Sequence, residues 1–210
     1  MSELIEAQFE PGSRGRVLRN RCGIKRKKEM DEAESVALKV AIDTLLGIYD
    51  ENHRFKAEDI KKMHKIWLGE IYEWAGGYRQ VNISKGEIPF AAAKQIPILM
   101  EEFEKGQLHK HTPCKFKSLG RITQALAEVH VELVLIHPFR EGNGRVARIL
   151  STLMASQTGL PVLTFKDITG RKRKEYFMAI NSGLSRDYRL MEVLFEKIIE
   201  RSIKAKSVEI

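Results

Sequence analysis

The chain has 210 residues, 43% of them apolar, and 36 Lys and Arg against 28 Asp and Glu give a formal charge of +8. That length buries a core as one domain, and with no bilayer-spanning apolar run and a short acidic start, Met1 to Glu6, a soluble protein is expected, cytoplasmic or delivered into another cell. The charge keeps a polyanionic partner open, but its clusters, Arg14 to Lys28 and Arg171 to Lys174, lack the interleaved aromatics of a single-strand stacking platform, and Cys22 and Cys114 lack metal or redox spacing.

In chain order, residues 1–28 form a basic arm expected to pack on the core, and a helix fits Asp31 to Tyr49. A second begins at Glu58 and Asp59, where acidic residues favour a helix N-terminus. It carries Ile60, Met63, Trp67, Ile71 and Trp74 on one face and closes at Gly76-Gly77. The helical period then breaks from Tyr78 to Phe90. Val81 and Ile83 alternate with polar residues, Ser84 to Glu87 supply a turn, and Ile88 and Phe90 follow, which predicts a lone β-hairpin with an ordinary loop as the alternative. Pro89 suits an exposed edge, and an exposed edge can pair with an extended peptide.

Helices are next expected over Ala92 to Glu104 and over Leu119 to Ile136, where Leu119, Ile122, Leu126, Val129, Leu133 and Ile136 step by three or four as one buried stripe. Asn143 to Gln157, Lys172 to Asn181 and Leu190 to Lys204 complete the series, with Gly159-Leu160-Pro161 and Gly183 as stops. The fold class is therefore all-α with one short β-hairpin.

Between two of these helices lies His137-Pro-Phe-Arg-Glu-Gly-Asn-Gly-Arg-Val-Ala-Arg148. His137 can accept a proton near neutral pH, Glu141 can hold a hard divalent cation, and Gly142 and Gly144 let backbone N–H groups approach an anion. Arg145 and Arg148 share a helix face and can grip phosphate oxygens. The loop precedes a helix N-terminus, whose unpaired N–H groups and positive dipole end form an anion cradle. Gly142 to Ala147 also fits the dinucleotide pattern G-x-G-x-x-A, with Asp167 downstream, but the segment before it has helical period and no βαβ unit exists. A P-loop fails because no Gly-Lys-Ser/Thr follows.

The twelve residues resemble the signature of Fic-domain proteins, His-Pro-Phe-x-Asp/Glu-Gly-Asn-Gly-Arg-x-x-Arg, at every defined position. The likeness extends through Val17 to Arg21, Phe55 to Ile60, Ile71 to Arg79, Ile83 to Gly86, Tyr176 to Asn181 and Asp187-Tyr188, so residues 29–204 are expected as the Fic domain and 205–210 as a tail. The resemblance implies an enzyme that transfers AMP from ATP to a Tyr, Ser or Thr hydroxyl of a target protein and releases pyrophosphate. His137 would be the general base and Glu141 would hold Mg²⁺. Gly142, Asn143, Gly144, Arg145 and Arg148 would bind the nucleotide phosphates, while Phe139 anchors the loop and Arg140 is solvated. The hairpin would be a flap whose residues Val81, Asn82, Ile83 and Ser84 align the target. Lys85 and Gly86 at its tip are candidates to touch nucleotide or target, and Asn181 and Tyr176 to line the base pocket, with Tyr176 equally a core residue.

Gly144 separates the chain from a related phosphorylating branch that carries lysine there, whereas UMP or phosphocholine transfer stays open, as does a nucleic-acid-binding adaptor using the basic arm. The inhibitory pattern Ser/Thr-x-x-x-Glu-Gly/Asn of many relatives is lacking, since Ser2 to Glu6 is followed by Ala7. Inhibition of this toxin-like chain is then expected from a separate antitoxin-like partner.

Overall fold

The computed structural model describes residues 4–85, 88–168 and 173–208. The architecture is mainly helical: α1 Lys27–Ile48, α2 Ala57–Leu68, α3 Ile96–Phe103, α4 His109–His111, α5 Leu119–Ile136, α6 Asn143–Ser156, α7 Arg173–Ser182 and α8 Arg189–Val208. A π turn, Glu104–Leu108, joins α3 to α4 so that the helix runs on beyond its expected end at Glu104. Among the described residues no helix is long and apolar enough to cross a membrane.

Helix α5 is the centre. It packs against α6, α8, α7 and α3, and it is buried well beyond the expected single stripe: Thr123, Ala127, His130 and Val131 on its other faces are as enclosed as Leu126 and Val129. Leu119, a member of that stripe, is 43% exposed at the first residue of the helix, where the Ser118 cap accepts the Arg121 N–H. The helix ends where Pro138 forces the residue before it out of helical geometry, and His137 takes up φ 54° and ψ 58° as its cap. Helices α1 and α2 pack together and against α6, which places the N-terminus of α6 between the two layers.

The second helix stops at Leu68 rather than near Trp74. Ile71, Tyr72 and Ala75 are nonetheless buried, because the turns from Gly69 to Gly77 fold their apolar side chains onto the core, and a three-or-four spacing does not distinguish that from a continuing helix. Two short strands pair, β1 Ser84–Lys85 and β2 Ile88–Pro89, antiparallel, with Ser84 opposite Pro89 and Lys85 opposite Ile88. The Phe90 N–H donates to Ile83 O at 3.4 Å and carries the pairing one residue further down the expected arms, while Val81 and Asn82 stand outside it. Gly86 and Glu87 lie outside the described residues.

The N-terminal residues fold on themselves through an antiparallel bridge between Phe9 and Leu18 and lie on the body through the buried Val17 and the Arg21 N–H donated to Ile71 O at 2.8 Å. The expected boundary after residue 28 falls inside α1, which starts at Lys27. Arg26 pairs with Glu29 and Lys27 with Asp31, so half of the densest basic run is neutralised by its own helix.

Leu126 is fully buried at the centre of α5. Leu126→Ala is expected to lower unfolding stability by about 2–5 kcal/mol, read from denaturant midpoints, through lost burial and the cavity left behind.

Candidate active site

The turn from α5 into α6 is held from inside by its own asparagine. Asn143, 3% exposed, accepts the Phe139 N–H at Oδ1 and donates from Nδ2 to Phe139 O, both at 2.8 Å. Its side chain therefore braces the loop instead of reaching for phosphate. Phe139 is buried as expected and stacks on His64, with ring centroids 4.0 Å apart and planes 4° from parallel. His64 accepts the Gly76 N–H at Nδ1 and donates from Nε2 to Glu141 O at 3.2 Å, a tautomer fixed by the carbonyl, which only accepts. Burial pushes His64 down to about 3.

Gly142 begins α6 at φ 83°, and a Cβ there would lie 2.6 Å from Trp67 Cζ3. Conformation and close approach both demand glycine at this point. Its N–H donates to Glu141 Oε1 at 2.9 Å, so Gly142 does not serve the anion cradle as expected. The N–H groups of Asn143 and Gly144 have no acceptor among the described residues and point the cradle one residue further on. Gly144 is open, since a Cβ there would meet only Tyr176 Oη at 3.9 Å.

The two motif arginines are not equivalent. Arg145 donates to Glu34 Oε2 at 2.6 Å, reaches Glu141 Oε1 at 3.4 Å and lies 4.6 Å over the Trp67 ring. Glu34, on α1 and 1% exposed, also accepts from Tyr72 Oη at 2.7 Å, and its carbonyl accepts the Trp67 indole N–H at 2.9 Å. A carboxylate on α1 thus neutralises Arg145, contrary to its expected role on the outer phosphates. Arg148 donates from Nε to Gly144 O at 3.2 Å and has no carboxylate partner among the described residues. Burial lowers its pKa, which marks a half-buried cation with little compensation. Beneath it Tyr176 donates to His130 Nε2 at 2.9 Å and His130 donates from Nδ1 to Ser151 Oγ at 3.1 Å, because the Ser151 hydroxyl proton is committed to Ala147 O. Burial holds His130 down at about 3 and lifts Tyr176 to about 12.

His137 is half-buried, with Nδ1 3.0 Å from Val134 O. A carbonyl accepts only, so Nδ1 carries the proton and Nε2 is the basic nitrogen of the neutral ring. Phe90, at the end of the hairpin segment, stacks on the imidazole with centroids 3.6 Å apart. Glu141 is half-exposed, and its Oε1 is engaged by Gly142 and Arg145. Among the described residues no three His, Cys, Asp or Glu side chains converge. The site therefore fits a cation that takes one carboxylate and fills its shell with phosphate oxygens and water, the habit of Mg²⁺.

Of the other expected residues, Asn181 is exposed on α7 with no hydrogen bond to the motif, and Lys85 lies in β1. Val81 is withdrawn from a free edge, because its N–H donates to Glu6 Oε1 and its carbonyl accepts from Arg79. Asn82 accepts the Ala93 N–H at 2.8 Å. Arg140, expected to be solvated, donates to Glu6 O at 2.9 Å. Sequence reasoning missed Glu6, Glu34, His64, Arg79 and His130. Arg79 and His64 lie inside or beside stretches that carry the family likeness, but their partners on the motif, His137 O and Glu141 O, are 58 and 77 residues away.

The profile of the Fic/DOC family matches residues 54–155, from just before α2 to the end of α6. A probable protein adenylyltransferase of Sinorhizobium fredii, y4lH, is 30% identical over 149 residues, covering 68% of this chain and 72% of that protein. The chain belongs to the Fic/DOC family. Protein adenylyltransferase VbhT of Bartonella schoenbuchensis is 32% identical over 143 residues, and this Fic chain spans 30% of its length. The fold matches that of BepC, a VirB-translocated effector protein of Bartonella tribocorum crystallised with AMPPNP. The TM-score is 0.74 at 22% identity, over 94% of this chain and 98% of that one.

The two motif glycines are expected to respond oppositely. Gly142→Ala meets the Trp67 ring and a left-handed backbone and loses about 1–3 kcal/mol or more of stability, while Gly144→Ala melts like the parent protein and binds ATP analogues more weakly. A second expectation concerns acid. His64 and His130 titrate at about 3 when folded against a reference of 6.5, so the unfolded chain binds more protons between those values. Thermal stability should fall as pH drops from 6.5 toward 3, and a series of melting curves should show a shallower fall in His64→Gln.

Proposed function

We infer that this chain transfers AMP from ATP to a Tyr, Ser or Thr hydroxyl of a target protein and releases pyrophosphate. Two observations carry this reading: His137, whose Nδ1 is held by Val134 O so that Nε2 is the basic nitrogen of the neutral ring, and Arg148 on the helix that follows the loop, half-buried and without a carboxylate among the described residues. The matched adenylyltransferases VbhT and y4lH support the chemistry.

In this reading the target hydroxyl oxygen bonds to the α-phosphorus as its proton passes to His137 Nε2, and the bond from that phosphorus to the bridging oxygen breaks to release pyrophosphate. The N–H groups of Asn143 and Gly144 hold phosphate oxygens as charge develops, and Arg148 neutralises the outer phosphates. Arg145 contributes indirectly, by orienting Glu141 from its contact with Glu34. Glu141 would hold Mg²⁺, which supplies charge neutralisation at the phosphates when bound. The segment from Asn82 to Lys85 serves as the flap that aligns an extended target stretch by main-chain pairing. Lys85, Gly86 and Asn181 are further candidate contacts for nucleotide or target. No acidic side chain of the described residues meets Arg148, which supports control by a separate antitoxin-like partner that brings one. A cytoplasmic site of action, or delivery into another cell, accords with this chemistry.

Incubation with cell extract, Mg²⁺ and ATP labelled at the α or the γ position tests the reading. Retention of α-label on protein is the expected result; γ-label alone would mean phosphorylation, and no label from any nucleotide would refute transfer. His137→Ala should abolish labelling with an unchanged melting temperature. Arg148→Ala should cost about 10²–10³ in rate.

A further inference from the structure

Arg79 lies between α2 and the flap with 1% exposure, and every hydrogen bond of its side chain ends on a backbone carbonyl. Nε donates to His137 O at 2.8 Å, one terminal nitrogen donates to Val81 O at 2.8 Å, and the other donates to Ala91 O. Its own N–H donates to Pro138 O at 2.9 Å. The three side-chain acceptors are the two roots of the flap and the residue that carries the base. A guanidinium presents its donors in a rigid planar fork, so carbonyls bound to it together cannot slide past one another. Glu6, 6% exposed, supplies the opposing charge and accepts the N–H groups of Gln80 and Val81 at 2.7 and 3.0 Å. Arg140 donates to Glu6 O and ties the same N-terminal segment to the motif loop.

We propose that Arg79, backed by Glu6, is the positioning residue that fixes the flap to the base. It sets where a target hydroxyl lies relative to His137 without touching target or nucleotide. This rests on reading the chain as an AMP transferase whose flap docks the target. The imidazole has holds of its own, since the His137 N–H donates to Leu133 O at 3.2 Å and Nδ1 to Val134 O. Loss of the fork therefore frees the flap roots far more than the base. The cradle, built on α6 and Asn143, is untouched.

Arg79→Lys keeps the charge and removes the fork, and it is compared with the parent chain in three measurements. AMPPNP affinity with Mg²⁺ should stay within about twofold, because the cradle does not depend on the flap. The amides of Val81 to Ser84 and of Phe90 and Ala91 should exchange hydrogen faster. With α-labelled ATP and dialysed lysate protein as acceptor, the protein concentration for half-maximal labelling should rise about tenfold or more, with a smaller change in the limiting rate. Glu6→Ala should move exchange and labelling in the same direction by less, and it decides the matter if Arg79→Lys does not fold. Unchanged exchange at the flap roots, or a fall in limiting rate with an unchanged half-saturating concentration, overturns the proposal. If the parent chain labels nothing, the transferase reading fails, and the exchange measurement still decides whether Arg79 holds the flap.

Discussion

Everything at the site depends on His137 holding a left-handed backbone conformation, φ 54°, that a non-glycine residue adopts at a cost of about 1–3 kcal/mol. The conformation turns the chain out of α5, and the imidazole lies between Val134 O and the Phe90 ring. It persists because the surroundings over-determine it. The helix end takes the N–H and the ring nitrogen, Arg79 takes the carbonyl, Pro138 forbids a further helical turn, and Phe90 covers the ring face. A side chain held in this way is already oriented before any ligand arrives.

The same over-determination spreads through the motif. Asn143 closes the loop on itself, His64 supports Phe139 and the Glu141 carbonyl, and Trp67 presses on the bare Cα of Gly142. Glu34 then reaches in from α1 and occupies Arg145. Removing one partner of such an ion pair costs more than the pair itself contributes, because the other charge is left uncompensated. Among the described residues, what the motif leaves for an anion is small: two backbone N–H groups, of Asn143 and Gly144, and the Arg148 guanidinium. A site that holds most of its polar groups in internal contacts offers a ligand few and well-separated points of attachment.

Much of the helical frame was legible in the sequence because amphipathic period and stop residues are local. Ile122, Leu126, Val129 and Leu133 set α5 without knowledge of any neighbour, and Gly159-Leu160-Pro161 closes α6. Where the helix end was misplaced, at Leu68, the apolar spacing continues through a series of inward-facing turns, and only tertiary packing separates the two. The motif's residue types were legible as phosphate chemistry, yet their division of labour was not. Whether Asn143 points to phosphate or to Phe139, and whether Arg145 meets phosphate or Glu34, is decided by partners that a linear reading does not bring together. Glu6 and Glu34 were invisible for the same reason, since a single buried charge carries no periodicity and no motif of its own, and Arg79 stood in a family-like stretch that did not reveal its partners.

Arg140 occupies the motif's one unspecified position between Phe139 and Glu141, and it binds the backbone of a residue 134 places earlier in the chain. A ribosome releases the earlier segment first, and that segment can find its seat only after the motif loop has been made. Long-range closure of this kind is slow compared with forming the helices between. A nascent chain thus carries its helices for some time before these distant segments meet, and the motif loop is closed as a late event in its own synthesis.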